Sequence, residues 1–367
     1  MRDILPVLNG WYAAGAPFGL ATVVAVAGSA PREPGAAMAV GPGDEVVGSV
    51  SGGCVEGAVF ELAREVVADG SARTEVFGYD DEDAFAVGLT CGGEISVLVR
   101  AVSPRLDPTF GAVAESVAAG EPVAVASVVD GPAPRGAVLA VWPDRAHGSL
   151  GTDGLDAAVT ADARGELALG ATAVRHYGPQ GRRREDDVSV FLHSFAPPPR
   201  MLVFGAVDYA AAVARVGHFL GYRVTVCDAR PAFATPRRFP PDVDVVVDWP
   251  HRYLHGTDTD ARTVICVLTH DPKFDVPLLE DALRRPAAYI GAMGSRRTHD
   301  ERRARLVAAG LTERELSRLR SPIGLDLGAR TPEEVAVSVA AEIVALHWGG
   351  SGAPLTLARG PVHRRRP

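Results

Sequence analysis

Met201-Leu202-Val203-Phe204-Gly205-Ala206-Val207-Asp208-Tyr209-Ala210 decides the fold of the second half of this chain. Four apolar residues run into a glycine turn and then a helical stretch, and Asp228 follows the next apolar run, Arg223–Cys227. Strand, glycine turn, helix, strand and terminal carboxylate are the entry of a Rossmann-like unit, in which the turn faces a pyrophosphate and the carboxylate a ribose. Gly205 and Asp228 are therefore candidate cofactor contacts. The entry also departs from the dinucleotide pattern. The middle position of G-x-G-x-x-G/A, where a missing side chain lets phosphate approach the backbone, is Val207, and acidic Asp208 follows it. Asp208 reads as a helix N-terminal cap.

Downstream, short β-rich runs at Val243–Val247, Thr263–Leu268 and Ala287–Ile290 alternate with helical stretches, the pattern of a parallel sheet covered by helices. Thr331-Pro332-Glu333-Glu334 combines a cap, a first-turn proline and a capping-box glutamate, and opens a helix that runs to His347. Gly349-Gly350 ends it. Upstream, Pro197-Pro198-Pro199 is a stiff joint, because successive prolines fix φ and remove backbone donors.

Before that joint the chain mixes strands (Leu20–Ala27, Ile95–Val99, Val123–Val129, Ala137–Val141, Val188–Phe195) with a helix at Val55–Val67 and a breaker-rich loop at Gly28–Gly35. No internal repeat is evident. The expected class is α/β, with an α+β N-terminal domain over 1–196, a Pro-rich linker at 197–200, a Rossmann-like domain over 201–347 and a flexible tail at 348–367.

Composition narrows the function classes. The 367 residues carry a formal net charge of −8 with scattered basic residues, which excludes the electrostatic footprint of a nucleic-acid binder. No apolar run reaches membrane-spanning length and the first residues lack a signal-peptide pattern, so a cytoplasmic protein is expected. Cys54, Cys91, Cys227 and Cys266 stand far apart, without paired zinc spacing.

Three places offer chemistry. In Gly48-Ser49-Val50-Ser51-Gly52-Gly53-Cys54-Val55-Glu56 a thiol sits where a glycine turn enters a helix, whose dipole favours a thiolate. Gly52 and Gly53 lower the bulk around it, and Leu89-Thr90-Cys91-Gly92-Gly93 repeats the arrangement. Cys227 and Cys266 lie within strand runs and read as small buried hydrophobes. The second place is Gly291-Ala292-Met293-Gly294-Ser295-Arg296-Arg297, a turn that opens a helix. Gly291, Gly294, Ser295 and Arg296 there suit an oxyanion, and a plain turn with surface ion pairs is the alternative. The third is Thr269-His270-Asp271-Pro272, where His270 transfers protons or contacts ligand while Asp271 starts a helix. Ser29 and Arg32, in the Gly28–Gly35 loop, either meet a ligand or belong to a rigid turn.

Taken together, GSAPREPGA, GSVSGGCVEGAV, LTCGGEI, LVFGA, GYRVTVCDARPAFA, LTHDPKFDVPLL, YIGAMGSRRTHDERRARL and SPIGLDLGARTPEEVAVSVAAEI resemble the XdhC/CoxI family over most of 10–100 and 200–347. That resemblance implies a non-catalytic maturation factor of a xanthine-dehydrogenase-type enzyme. Such a factor binds molybdenum cofactor, as molybdopterin or its dinucleotide, supports its sulfuration with a cysteine desulfurase and delivers it to an apo molybdenum hydroxylase. Cys54 and Cys91 are then candidate molybdenum contacts. Four cysteines cannot ligate the two iron–sulfur clusters of such an enzyme, which agrees with an accessory role. A homodimer is expected on the base rate for soluble oligomers. The competing readings are an NAD(P)-dependent oxidoreductase using Asp228 and His270, and a thiol-based sulfur carrier cycling Cys54 and Cys91.

Overall fold

The computed structural model describes residues 1–28, 32–78 and 93–358, which form two compact units, Met1–Pro197 and Pro198–Pro367. In chain order the first unit contains α1 (Leu5–Ala13), β1 (Phe18–Ala27), β2 (Ala37–Val40), β3 (Val46–Gly48), α2 (Glu56–Asp69), β4 (Arg73–Phe77) and β5 (Glu94–Val102). It continues with α3 (Phe110–Ala118), β6 (Val123–Asp130), β7 (Val138–Val141), β8 (Ala146–Gly148), α4 (Asp153–Leu169), β9 (Ala173–Tyr177) and β10 (Val188–Phe195).

These elements are one motif written twice. The described strands form two five-stranded antiparallel sheets, ordered β3-β2-β1-β5-β4 and β8-β7-β6-β10-β9. The expectation of no repeat is corrected. Gly48-Ser49 and Gly148-Ser149 open the same turn, and Ala58, Val59, Ala63, Arg64, Ala68 and Gly70 recur as Ala158, Val159, Ala163, Arg164, Ala168 and Gly170. Geometry repeats as well. Gly48 and Gly148 both have positive φ (80° and 102°), and a Cβ on either would lie 2.2 or 2.3 Å from a strand carbonyl, that of Ala37 or Val138. The matching turn bonds are Ser49 N to the Ala37 carbonyl (3.0 Å) and Ser149 N to the Val138 carbonyl (3.1 Å).

Period-two burial builds the layers. Ala21 and Val23 of β1 face α2, through Val59, Ala63 and Val66, while Phe18 and Leu20 face a core shared with the second sheet's Val123, Ala140 and Phe195. α4 covers the second sheet through Leu155, Val159, Ala163 and Leu167.

The second unit contains β11 (Arg200–Phe204), α5 (Asp208–Phe219), β12 (Arg223–Asp228), β13 (Asp244–Val247), α6 (Pro250–His255), β14 (Val264–Val267) and α7 (Pro272–Ala282). It ends with β15 (Tyr289–Ala292), α8 (Arg296–Ala308), α9 (Glu313–Leu316), β16 (Leu319–Arg320) and α10 (Pro332–Trp348). All six strands run parallel, in the order β13-β12-β11-β14-β15-β16, so the expected parallel, Rossmann-like sheet is present. β14 and β15 are buried throughout, as continuous apolar runs between two helical layers require. α5 and α10 pack on one face, and α6, α7 and α8 on the other.

The capping signals act as expected at α7 and α10. The Asp271 side chain accepts from Lys273 N, and Thr331 and Glu334 form a full capping box. Asp208 is a correction. The N-cap of α5 is Val207, and Asp208 is the first helical residue, held by Arg238 at 2.9 Å. No helix among the described residues is long and apolar enough to cross a membrane.

Candidate functional sites

In the first unit the turn between β3 and α2 is organised around one carboxylate. Gly52 and Gly53 take φ of 80° and 124°, which turns consecutive backbone amides inward. Val50, Ser51, Gly52 and Gly53 donate their N–H groups to Glu56 at 3.3, 2.9, 3.0 and 2.8 Å. Ser49 and Ser51 donate their hydroxyls to it at 2.7 and 2.5 Å. Cys54 N and Val55 N donate to Ser51 Oγ, both at 3.0 Å. Burial alone would raise the Glu56 pKa, but the bonds from Ser51 and Ser49 outweigh it and hold the carboxyl at about 2. Cys54, half-buried, stands at the end of this nest where α2 begins.

Cys91, the other expected thiol, and Ser29 lie outside the described residues; Arg32 is exposed. Cys227 and Cys266 are buried, and burial pushes both thiols up to about 12, which suits packing rather than thiolate chemistry.

In the second unit the carboxyl ends of the strands bring together Gly205, Asp228, His270 and the turn before α8. The strand order reverses between β11 and β14, the place where ligands bind open α/β sheets. Gly205 sits at that switch point with φ of 106°, and a Cβ there would meet the Leu268 carbonyl carbon and Thr269 at 3.2 Å. The Asp228 carboxylate is buried and engaged. It accepts from Ala206 N (2.8 Å), from Arg230 N (2.9 Å) and from Nε and Nη2 of the Arg230 guanidinium (2.9 and 2.8 Å). Desolvation opposes these bonds, yet they keep its pKa below the usual carboxylate range. Asp228 thus braces the glycine turn, and a ribose diol would have to displace Arg230 or share its acceptors.

The GAMGSRR turn is also narrower than its sequence suggests. Gly291 lies inside β15, with a Cβ position blocked by Ile323 and Tyr289 at 2.6 Å, so it is a packing glycine and not part of the turn. Gly294 has φ of 151°, and Ser295 is the N-cap of α8, accepting from Thr298 N at 3.2 Å. Arg296 is exposed at the helix start, while Arg297 pairs with Glu301. His270 is exposed just after β14.

Sequence reasoning missed the group that ties these loops together. Arg302 and Asp275, both buried, pair at 2.9 Å. Arg302 also donates to the Met293 carbonyl (2.8 Å) and to Ser321 Oγ (3.1 Å), and Thr269 donates its hydroxyl to Asp275. Burial raises the Asp275 pKa despite the bonds from Thr269 and Arg302. One ion pair therefore joins the segments after β14, β15 and β16. Nothing local announces it, because its partners are spread from 269 to 321. Glu56 did have a signal, an acidic residue five positions after Ser51 at a helix start. A cleft of about 350 Å³ between α6 and α7, lined by His251, Arg252, His255, Pro277 and Asp281, contains none of the expected site residues.

The family described as the XdhC Rossmann domain matches residues 201–343, and the XdhC and CoxI family matches 11–78 and 116–178, corresponding parts of the two copies in the first unit. Over 336 residues the chain is 27% identical to a protein of Bacillus subtilis (strain 168) described as a probable xanthine dehydrogenase subunit, spanning 89% of this chain and 92% of that one. It is 27% identical over 330 residues to the "Molybdenum cofactor insertion chaperone PaoD" of Escherichia coli (strain K12), spanning 89% and 82%. A crystal structure described as a xanthine dehydrogenase from Bacillus halodurans superposes with a TM-score of 0.67 at 25% identity, over 94% of this chain and 95% of that one. With matches running through both units, the chain belongs to the XdhC and CoxI family.

Proposed function

We propose that this protein is an accessory factor that binds molybdenum cofactor, supports its sulfuration and inserts it into an apo molybdenum hydroxylase of the xanthine dehydrogenase type. The observation that carries this reading is the similarity to a molybdenum cofactor insertion chaperone across 89% of the chain, which takes in both units. Two places suit parts of such a cargo. Molybdopterin, alone or as a dinucleotide, carries phosphate, and an anion suits the start of α8, where Gly294, Ser295 and exposed Arg296 meet the positive end of the helix dipole. Its sulfur-bound molybdenum suits a soft thiolate, which Cys54 at the start of α2, together with Cys91, supplies. Gly52 and Gly53 shape the approach to that thiol, and His270 and Gly205 stand at the switch point of the parallel sheet in the second unit. A cysteine desulfurase as sulfur donor, a cytoplasmic location and a homodimeric assembly complete the reading.

Equilibrium binding of molybdenum cofactor under anaerobic conditions tests it. Wild type should bind tightly, Cys54→Ala and Cys91→Ala should each weaken binding at least about tenfold, equivalent to 1.4 kcal/mol, and Arg296→Ala should weaken binding of the phosphate-bearing cofactor. No binding by folded wild type overturns the proposal. A nicotinamide oxidoreductase is the less favoured alternative, because Val207 occupies the phosphate approach and Arg230 holds the carboxylate expected to meet the ribose. The half-buried thiol at the start of α2 favours sulfur carriage as the second reading, and mass spectrometry of Cys54 and Cys91 after exposure to a persulfide donor separates it from cofactor holding.

A further inference from the structure

The first unit contains its own control experiment. The turn that opens α4 in the second copy does the same structural work as the turn that opens α2 in the first, with far simpler means. Asp156, in the place of Glu56, accepts from Leu150 N at 2.7 Å, Gly151 N donates to Ser149 Oγ at 3.1 Å, and Thr152 caps α4 by accepting from Leu155 N at 3.3 Å. Gly154 stands where the first copy has Cys54, and a Cβ there would lie 2.5 Å from the Gln180 carbonyl. Folding this motif therefore requires neither a glutamate nor four amides converging on one carboxylate.

The first copy has both. Every backbone N–H from Val50 to Val55 points at Glu56 or at Ser51 Oγ, which itself donates to Glu56. A run of inward-facing amides at a helix start is an oxyanion cradle, and here the chain's own carboxylate fills it. The longer side chain reaches the centre of the cradle, where Asp156 in the other copy bonds one of the corresponding amides.

We infer that Glu56 is a positioning and specificity residue: an internal anion that occupies the cradle, refuses phosphate and similar ligands at this turn, and fixes the backbone that carries Cys54. The turn is then a mount for a thiol, and the phosphate of a cargo must be held elsewhere. The inference rests on the reading of Cys54 as a cargo contact, but its test uses no cofactor and so fails or succeeds independently of that reading.

The test measures the rate of Cys54 alkylation by iodoacetamide at one fixed pH, read at that residue by mass spectrometry, together with thermal stability in added formate, acetate, sulfate or chloride at constant ionic strength. Glu56→Gln keeps nearly the same shape but removes the carboxylate that the amides of the turn bind, and should change the rate of Cys54 alkylation. Glu56→Ala empties the cradle. It should lose stability, regain it saturably with formate or acetate but not chloride, and acquire sulfate binding that wild type lacks. Glu56→Asp installs the side chain that the second copy folds with, and keeps the test decisive if Glu56→Ala does not fold. It should remain folded with an altered Cys54 alkylation rate. Wild-type alkylation rates in Glu56→Gln and Glu56→Asp, or an emptied cradle that no oxyanion rescues, would overturn the inference.

Discussion

Glu56 and Asp275 are carboxylates withdrawn from water to different degrees, and their surroundings drive them in opposite directions. Multiple donors hold Glu56 ionised down to about 2, whereas burial dominates at Asp275 and lifts it. For Glu56 the folded value lies below the unfolded value of 4.5, so its contribution to stability is fully present above 4.5 and is lost as pH falls through about 2. The stability gap between wild type and Glu56→Gln, followed by urea denaturation, should therefore be largest near neutrality and shrink across that acid window; a gap that does not change with pH would show that the carboxylate's charge is not what the nest binds. Arg302 makes the complementary case. Arg302→Met leaves the buried Asp275 carboxylate without its cation and removes a donor from two half-buried oxygen acceptors, and should cost about 3–5 kcal/mol, measured as a lower urea midpoint with unchanged slope.

At the scale of elements, the two copies of the antiparallel motif reuse the same turn geometry with different side chains. Gly48 and Gly148 each lie at positive φ under a strand carbonyl, so a methyl group meets both an unfavourable backbone conformation and a steric clash. Gly48→Ala and Gly148→Ala should each destabilise the protein by more than about 1 kcal/mol, and a marked inequality between them in chemical denaturation would argue against equivalent turns. The elements also show where local signals carry far. Asp271-Pro272 and Thr331-Pro332-Glu333-Glu334 name helix starts because cap, proline and glutamate act within one turn of chain. Asp208 misleads for the same reason. It resembles a cap, but the preceding Val207 already has the extended backbone of the cap position, and Asp208 is drawn to Arg238 thirty residues away.

At the scale of the whole molecule, duplication without equivalence carries a prediction about stoichiometry. Of the two turns, one presents Cys54 and the other has Gly154 closed against the Gln180 carbonyl. A chain that holds its cargo at the thiol turn should bind one molybdenum cofactor, not two, and anaerobic titration with metal analysis of the washed complex reads this directly. Two equivalents bound with equal affinity would move the site away from the Cys54 turn.

The sequence by itself determined the class of each part: the parallel sheet from apolar runs alternating with helices, the mixed N-terminal part, the helix starts, and the family through long motif strings such as GSVSGGCVEGAV and YIGAMGSRRTHDERRARL. These were legible because periodicity, capping and motif spacing act over a few consecutive residues. Only the tertiary structure decided that the described residues of the first unit repeat one motif, since the copies share a scatter of identities while the backbone alone preserves the turns and sheet order. Tertiary structure likewise took Gly291 out of the turn and into a strand, gave Asp228 to Arg230, and joined Asp275 to Arg302. Each of these depends on groups distant in sequence or on which face of an element a residue occupies, and a hydrogen bond or ion pair of that kind exists only once the chain has closed around it.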